Sequence, residues 1–250
     1  MKKIITALVL LKLIIFSIYP VEVLDIVRKL DNNEVFDSIK YDAEMIIYIS
    51  GKKYDKKFYS YAKGRLNYFI EFTNSDDQGT KYLKKDGNLF VYTEDLEEVL
   101  PITGHMLRES MMGSDISYED AVENDTLESQ YNFKITEETK FNSDTKFNGK
   151  DVWVIEFTAK KKTVSYPKQI MWVDKETFAA LKVERYALSG AKLKEILLLD
   201  AKWIGSRYFA TEMQVKDLLR KDSKTILKME NIQLDINIPD NTFSLRNLER

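Results

Sequence analysis

Apolar and polar residues alternate along most of this chain with a period of two. Tyr41, Ala43, Met45, Ile47 and Ile49 share one side of a run whose other side carries Lys40, Asp42 and Glu44. Leu66, Tyr68, Ile70 and Phe72 repeat the pattern opposite Arg65, Asn67 and Glu71. So do Trp153, Ile155 and Phe157, and then Phe209, Thr211, Met213 and Val215. This is the period of strands with one buried face. Asp86-Gly87, Asn148-Gly149 and Ser189-Gly190 stand between runs as hairpin-type turns. About a dozen strand-like runs predict an antiparallel meander.

Three departures from simple alternation add detail. In the last long run Leu227 and Met229 lie on odd positions, whereas Ile232, Leu234, Ile236 and Ile238 lie on even ones. A bulge at Glu230-Asn231 would keep both halves facing inward. Ile46 to Ile49 and Ile196 to Leu199 are apolar on both sides, so a helix, a lid or a second sheet must cover the second face. Val21 to Leu30 changes to a helical stripe through Val21, Leu24, Ile26, Val27 and Leu30, with Pro20 suited to a first helical turn. A curved sheet wrapped around a helix satisfies all three. Whether its apolar face is a closed core or lines a cavity is not decided by periodicity.

The N-terminus has a different character. Met1-Lys2-Lys3 precedes a mostly apolar run, Ile4 to Tyr19, with Lys12 near its middle. Residues 1–20 read as an export signal, with a retained inner-membrane anchor as the alternative, because a spanning helix needs roughly 20 apolar residues. Residues 21–250 show no Pro/Gly/Ser linker and no internal repeat, and are expected to form a single domain. The chain has no cysteine, which removes disulfides and lipidation of an N-terminal cysteine. Its 38 basic and 40 acidic residues give −2, and loss of three lysines with residues 1–20 leaves 35 against 40, or −5. That balance argues against nucleic acid or an anionic membrane surface as a non-specific partner.

The stretch from His105 to Leu127 breaks the strand pattern. Ser117-Tyr118-Glu119-Asp120 has the capping-box form and predicts a short helix from Tyr118 to about Asn124. Upstream, Met111 and Met112 beside Gly113 offer either a plug for the sheet or a deformable apolar contact. The segment Ser110-Met111-Met112-Gly113-Ser114-Asp115-Ile116-Ser117-Tyr118-Glu119-Asp120 resembles the S-W-M-G-S-D-F-T-N-D-D segment of bacterial outer-membrane lipoprotein-sorting proteins, relatives of the LolA lipoprotein carrier. The signal-like start, the helix before the first strand and the terminal Phe243-Ser244-Leu245-Arg246-Asn247-Leu248 also resemble that family. Met111, Ile116 and Tyr118 stand where the family has Trp, Phe and Asn.

The resemblance implies a mainly β fold with short helices: an unclosed antiparallel β-barrel, or half-pipe, under a helical lid. It implies a monomeric periplasmic carrier that shields acyl chains of lipoproteins or lipid, working with an inner-membrane transporter. Each exposed CH₂ of such a chain costs roughly 0.8 kcal/mol in water. The alternating apolar positions then supply cavity candidates: Met45, Ile47, Tyr68, Ile70, Phe72, Trp153, Ile155, Phe157, Phe209 and Met213. Met111, Met112, Gly113, Ser114, Asp115 and Asp120 form the motif loop, expected to act as a gate moving about Gly113, with Asp115 and the Ser117 cap fixing its far end.

Catalytic chemistry finds little support in the side chains. His105 is the one histidine and lies in Gly104-His105-Met106, outside any nucleophile-elbow pattern. Zinc lacks ligands. Asp115, Glu119, Asp120, Glu123 and Asp125 do not have the spacing of a calcium loop, and capping with solvation accounts for them. No phosphate-binding glycine loop is present. The expectation is therefore no catalytic residue, no metal and no cofactor. Two alternatives stay open: an anchored envelope binding or assembly module beside a transporter, and a β-barrel enzyme working through paired carboxylates.

Overall fold

In a computed structural model the described residues are 22–95, 97–123 and 125–249. The stretch read as an export signal or anchor, and Val21, lie outside them. The first helix, α1, spans Val23–Asn32 and buries Ile26, Val27 and Leu30. It starts two residues later than the sequence stripe suggests, with Glu22 in extended geometry at its N-cap.

The strands are β1 Ser38–Ile49, β2 Lys52–Lys63, β3 Asn67–Phe72, β4 Lys81–Lys85, β5 Asn88–Thr93, β6 Glu98–Ile102, β7 Tyr131–Lys140, β8 Asp151–Ala159, β9 Lys168–Asp174, β10 Ala180–Tyr186, β11 Lys192–Ile204, β12 Arg207–Asp217 and β13 Ser223–Leu234. They form one 13-stranded antiparallel sheet in the order β6-β5-β4-β3-β2-β1-β13-β12-β11-β10-β9-β8-β7. Two meanders, β1 to β6 and β7 to β13, are joined where β13 pairs with β1. The free edges β6 and β7 are consecutive in the chain and do not pair, so the barrel stays open. Between them run two 3-10 turns, Gly104–Arg108 and Met111–Gly113, then α2 Tyr118–Val122 and α3 Leu127–Gln130. A last short helix, α4, spans Leu245–Leu248.

The turns follow the sequence signals. Asp86 and Gly87 both take positive φ, 50° and 82°, as a two-residue hairpin turn of matching twist requires. The bulge falls at Asn231, whose φ is 52°: Lys40 faces Gln233 but Asp42 faces Glu230, so β13 carries one extra residue. The Asn231 amide donates to Asp42 Oδ2 at 2.7 Å and holds it there. Leu227, Met229 and Ile232 consequently share one cluster on the concave face.

The bulge does not bring the rest of that run inward. Ile236 and Ile238 lie beyond the end of β13, after Asp235 at φ 55°, and pack on the convex face with Phe69, Leu83, Phe243 and Leu248. The C-terminal segment thereby covers the outer side of β2 to β5, not the two-sided runs Ile46 to Ile49 and Ile196 to Leu199; Leu197 and Leu198 pack instead with Phe141 and Phe147. Leu66, placed by alternation on the inner side, sits in the β2–β3 turn and is exposed.

The concave face has two parts. Under α1, residues Ile26, Val27 and Leu30 pack with Tyr131, Trp153, Ile155, Phe157, Met171 and Val183. Against β1 to β5, β12 and β13 lie Met106, Leu107, Met111, Met112, Ile116, Tyr118 and Val122 of the crossing segment. The first part is a closed core. Phe157 is fully buried there and meets Tyr131 edge-on at 6.0 Å between ring centroids. We expect Phe157→Ala to lose about 3–5 kcal/mol of stability, measured by urea denaturation; a loss below about 1 kcal/mol would show that this half is not close-packed.

Candidate functional site

Alternation sends every second side chain of β1, β3, β12 and β13 to the same concave surface, and the crossing segment lies over it. Between them is a cavity of about 450 Å³. Its walls include Tyr41 and Met45 of β1, Tyr68, Ile70 and Phe72 of β3, Phe209 and Met213 of β12, and Leu227 and Met229 of β13. Met111, Ile116 and Ala121 line it from the crossing segment, and Leu30 from α1. This volume is within the roughly 300–1,000 Å³ of small-molecule sites.

Six of the ten candidate positions line this space: Met45, Tyr68, Ile70, Phe72, Phe209 and Met213. The other four do not. Ile47 is 2% exposed in the packed cluster beside the cavity. Trp153, Ile155 and Phe157 are covered by α1, which fills the half of the concavity they face. Alternation marks the inner face of every strand equally; where the helix docks decides which part stays open.

The motif loop is pinned from several sides. Asp115 is 1% exposed. Its carboxylate accepts from Thr225 Oγ1 at 2.7 Å, Ser223 Oγ at 2.6 Å and the Asp217 N–H at 3.0 Å. Arg220 donates to the carbonyls of Ser114 and, at 2.8 Å, Gly113. The backbone around Gly113 is thus tied to the β12–β13 turn on the same side as Asp115, instead of forming a free hinge. Met111 is buried against the cavity, whereas Met112 takes φ 53° and accepts from the Tyr82 hydroxyl at 3.2 Å. His105 lies exposed on the first 3-10 turn, away from this wall.

Asp120 ties α2 to the sheet. Its carboxylate accepts from the Ser117 N–H at 2.8 Å and the Ser117 hydroxyl at 2.7 Å, so α2 begins where the capping form places it. It also accepts from Tyr166 Oη at 2.6 Å, from Arg185 of β10 at 2.7 Å and from Lys194 of β11. Burial alone would raise its pKa; the Arg185 and Lys194 charges outweigh that and hold it down to about 2. Capping with solvation therefore does not describe Asp115, which is buried, and is incomplete for Asp120, which is half-buried and engaged by Arg185, Lys194 and Tyr166 as well as by its cap.

A polar rim next to the cavity went unmarked by alternation. Lys84 of β4 is 2% exposed and donates to the Ala121 and Glu123 carbonyls at 3.3 and 3.4 Å, at the C-terminal end of α2. Burial pushes its pKa down to about 8, partly offset by Glu123. Arg65, Glu34 and Glu123 line the cavity, and Asp31 lies beside Arg65. Lys84 is in phase with the inward Tyr82, two residues before it, which was the available signal. Arg65 alternates with the apolar positions and reads as solvated, but the β2–β3 turn carries it to the cavity mouth.

The fold resembles a DUF1329 family protein from Desulfovibrio piger, with a TM-score of 0.79 at 26% identity over 90% of this chain and 96% of that one. It resembles a Vibrio parahaemolyticus domain described for outer membrane lipoprotein sorting, with a TM-score of 0.76 at 23% identity over 91% and 98%. It also resembles a LolA superfamily protein from Nitrosomonas europaea, with a TM-score of 0.71 at 18% identity over 90% and 98%. The architecture is thus the LolA-like unclosed antiparallel half-barrel. Residues 64–250 match a family model whose description reads "-like: Uncharacterized protein", and the chain belongs to that family. No curated protein matches it.

The Asp120 geometry has a consequence in acid. A carboxylate whose folded pKa lies below its unfolded value of roughly 3.9 contributes stability above that value and loses it as pH falls through the folded value. Asp120 should contribute roughly 2 kcal/mol that disappears between about pH 4 and pH 2. Urea denaturation of the wild type and Asp120→Asn across this range checks it. The stability difference between the two should shrink as pH falls; a difference independent of pH would refute the assignment.

Proposed function

We propose that this protein is a cell-envelope carrier that shields acyl chains of lipoproteins or lipid in the concave cavity, acting after export to the periplasm. The observation that carries this reading is the cavity itself, apolar on its strand walls and roofed by a segment tied down at Asp115 and Asp120. Four of the eight methionines, Met45, Met111, Met213 and Met229, line it. Unbranched thioether side chains re-pack around ligands of varied shape, which suits a wall that must accept and release cargo. A rigid core would use branched and aromatic residues, as the half under α1 does. The sorting and superfamily names of the structural neighbours point the same way. The acidic balance of residues 21–250 suits a shuttle that moves between membranes without adhering to anionic lipid.

On this reading the segment from Met106 to Asp120 is the lid, and its methionine side chains yield before its backbone does. Titration with a fluorescent fatty acid should show saturable binding. Met213→Glu, which places a charge on a half-buried cavity wall, should weaken it at least tenfold, or about 1.4 kcal/mol, with a small change in melting temperature. Absence of saturable binding to the folded wild type would sink the carrier reading.

A further inference from the structure

At the C-terminal end of α1, next to the apolar cavity, lies a second and more polar compartment of about 300 Å³. The two share Leu30, Glu34, Arg65, Glu123 and Met213, so they lie side by side. Charged groups of both signs stand at this junction. Arg65 Nη2 is buried and donates no hydrogen bond, its acidic neighbour Asp31 lying 3.7 Å away. The Tyr68 hydroxyl, further along the same hairpin, is also buried and without a partner. Buried donors are rarely left unmet, so each is a place where an acceptor is missing. On the acidic side, the carboxylates of Glu34 and Glu123 make no ion pair or hydrogen bond among the described residues, although both face the shared space. Glu34 is exposed to solvent at the opening, and Glu123 is half-buried.

These groups discriminate among headgroups. A lone anion reaching Arg65 would also meet Asp31, Glu34 and Glu123. A lone cation reaching Glu34 would also meet Arg65 and Arg185, which lies in the same electrostatic neighbourhood. A group carrying both charges satisfies both sets at once. Resting on the carrier reading above, we propose that the occupant is a zwitterionic aminophospholipid. Its phosphodiester oxygens accept from Arg65 and Tyr68, its ammonium faces Glu34 and Glu123, and its acyl chains lie in the apolar part.

The test is a competition. The purified full-length chain is incubated with vesicles holding equal amounts of phosphatidylethanolamine and phosphatidylglycerol with identical acyl chains, re-isolated, and its bound lipid quantified by mass spectrometry. The ammonium should favour phosphatidylethanolamine about three- to fivefold, the scale of one partly solvated ion pair. Glu34→Gln should bring the ratio close to one by lowering bound phosphatidylethanolamine, with the melting temperature unchanged, and Glu123→Gln should move it in the same direction. Equal uptake by the wild type, or a preference that survives both substitutions, overturns the headgroup assignment and leaves the carrier reading standing. Uptake of neither lipid overturns both.

Discussion

A sheet of thirteen strands that does not close must cover a concave apolar face by other means. Everything distinctive about this molecule follows from that constraint. The two free edges, β6 and β7, are consecutive in the chain, so the segment that links them necessarily passes from one rim of the opening to the other. An uncovered apolar concavity of this size would attract other chains, and exposed strand edges would template pairing. The crossing segment and α1 divide the task of covering it. α1 docks on β7 to β10 and makes a solid core; the crossing segment roofs the other half and leaves space beneath.

The roof is held by buried charges rather than by a long helix. α2 is five residues long and could not persist alone. Asp120 fixes it to β10 and β11 through Arg185 and Lys194, and Asp115 fixes the preceding loop to β13 through Thr225 and Ser223. Buried ion pairs return little net stability after desolvation, but breaking one leaves charges unpaired in a poor solvent. Their use here sets geometry: the lid has one place to sit. The space under it is then bounded by fixed backbone and adaptable methionines.

Much of this was legible in the sequence, because strand periodicity is a local property. The inner faces of β1, β3, β8 and β12, the Asp86-Gly87 turn, the Asn231 bulge and the Ser117 start of α2 all follow from residues a few positions apart. What escaped was set by contacts distant in sequence. Trp153, Ile155 and Phe157 look like Tyr68, Ile70 and Phe72 until α1 is docked on one group and not the other. Ile236 and Ile238 turn outward because the chain leaves the sheet after Leu234. Asp120 reads as a solvated cap until Arg185 and Lys194, more than sixty residues further on, close around it. Arg65 reads as a solvent-facing charge, although the β2–β3 turn brings it to the cavity's rim.

The central claim is that the space beneath the lid holds an acyl-bearing molecule in the cell. Native mass spectrometry of the chain isolated from its own cell envelope without detergent tests it most directly. The account predicts a mass above that of the polypeptide by one lipid or lipidated segment, released on mild activation to leave a folded chain. A folded chain isolated in this way at the bare polypeptide mass, and still lipid-free after incubation with envelope lipids, would contradict it.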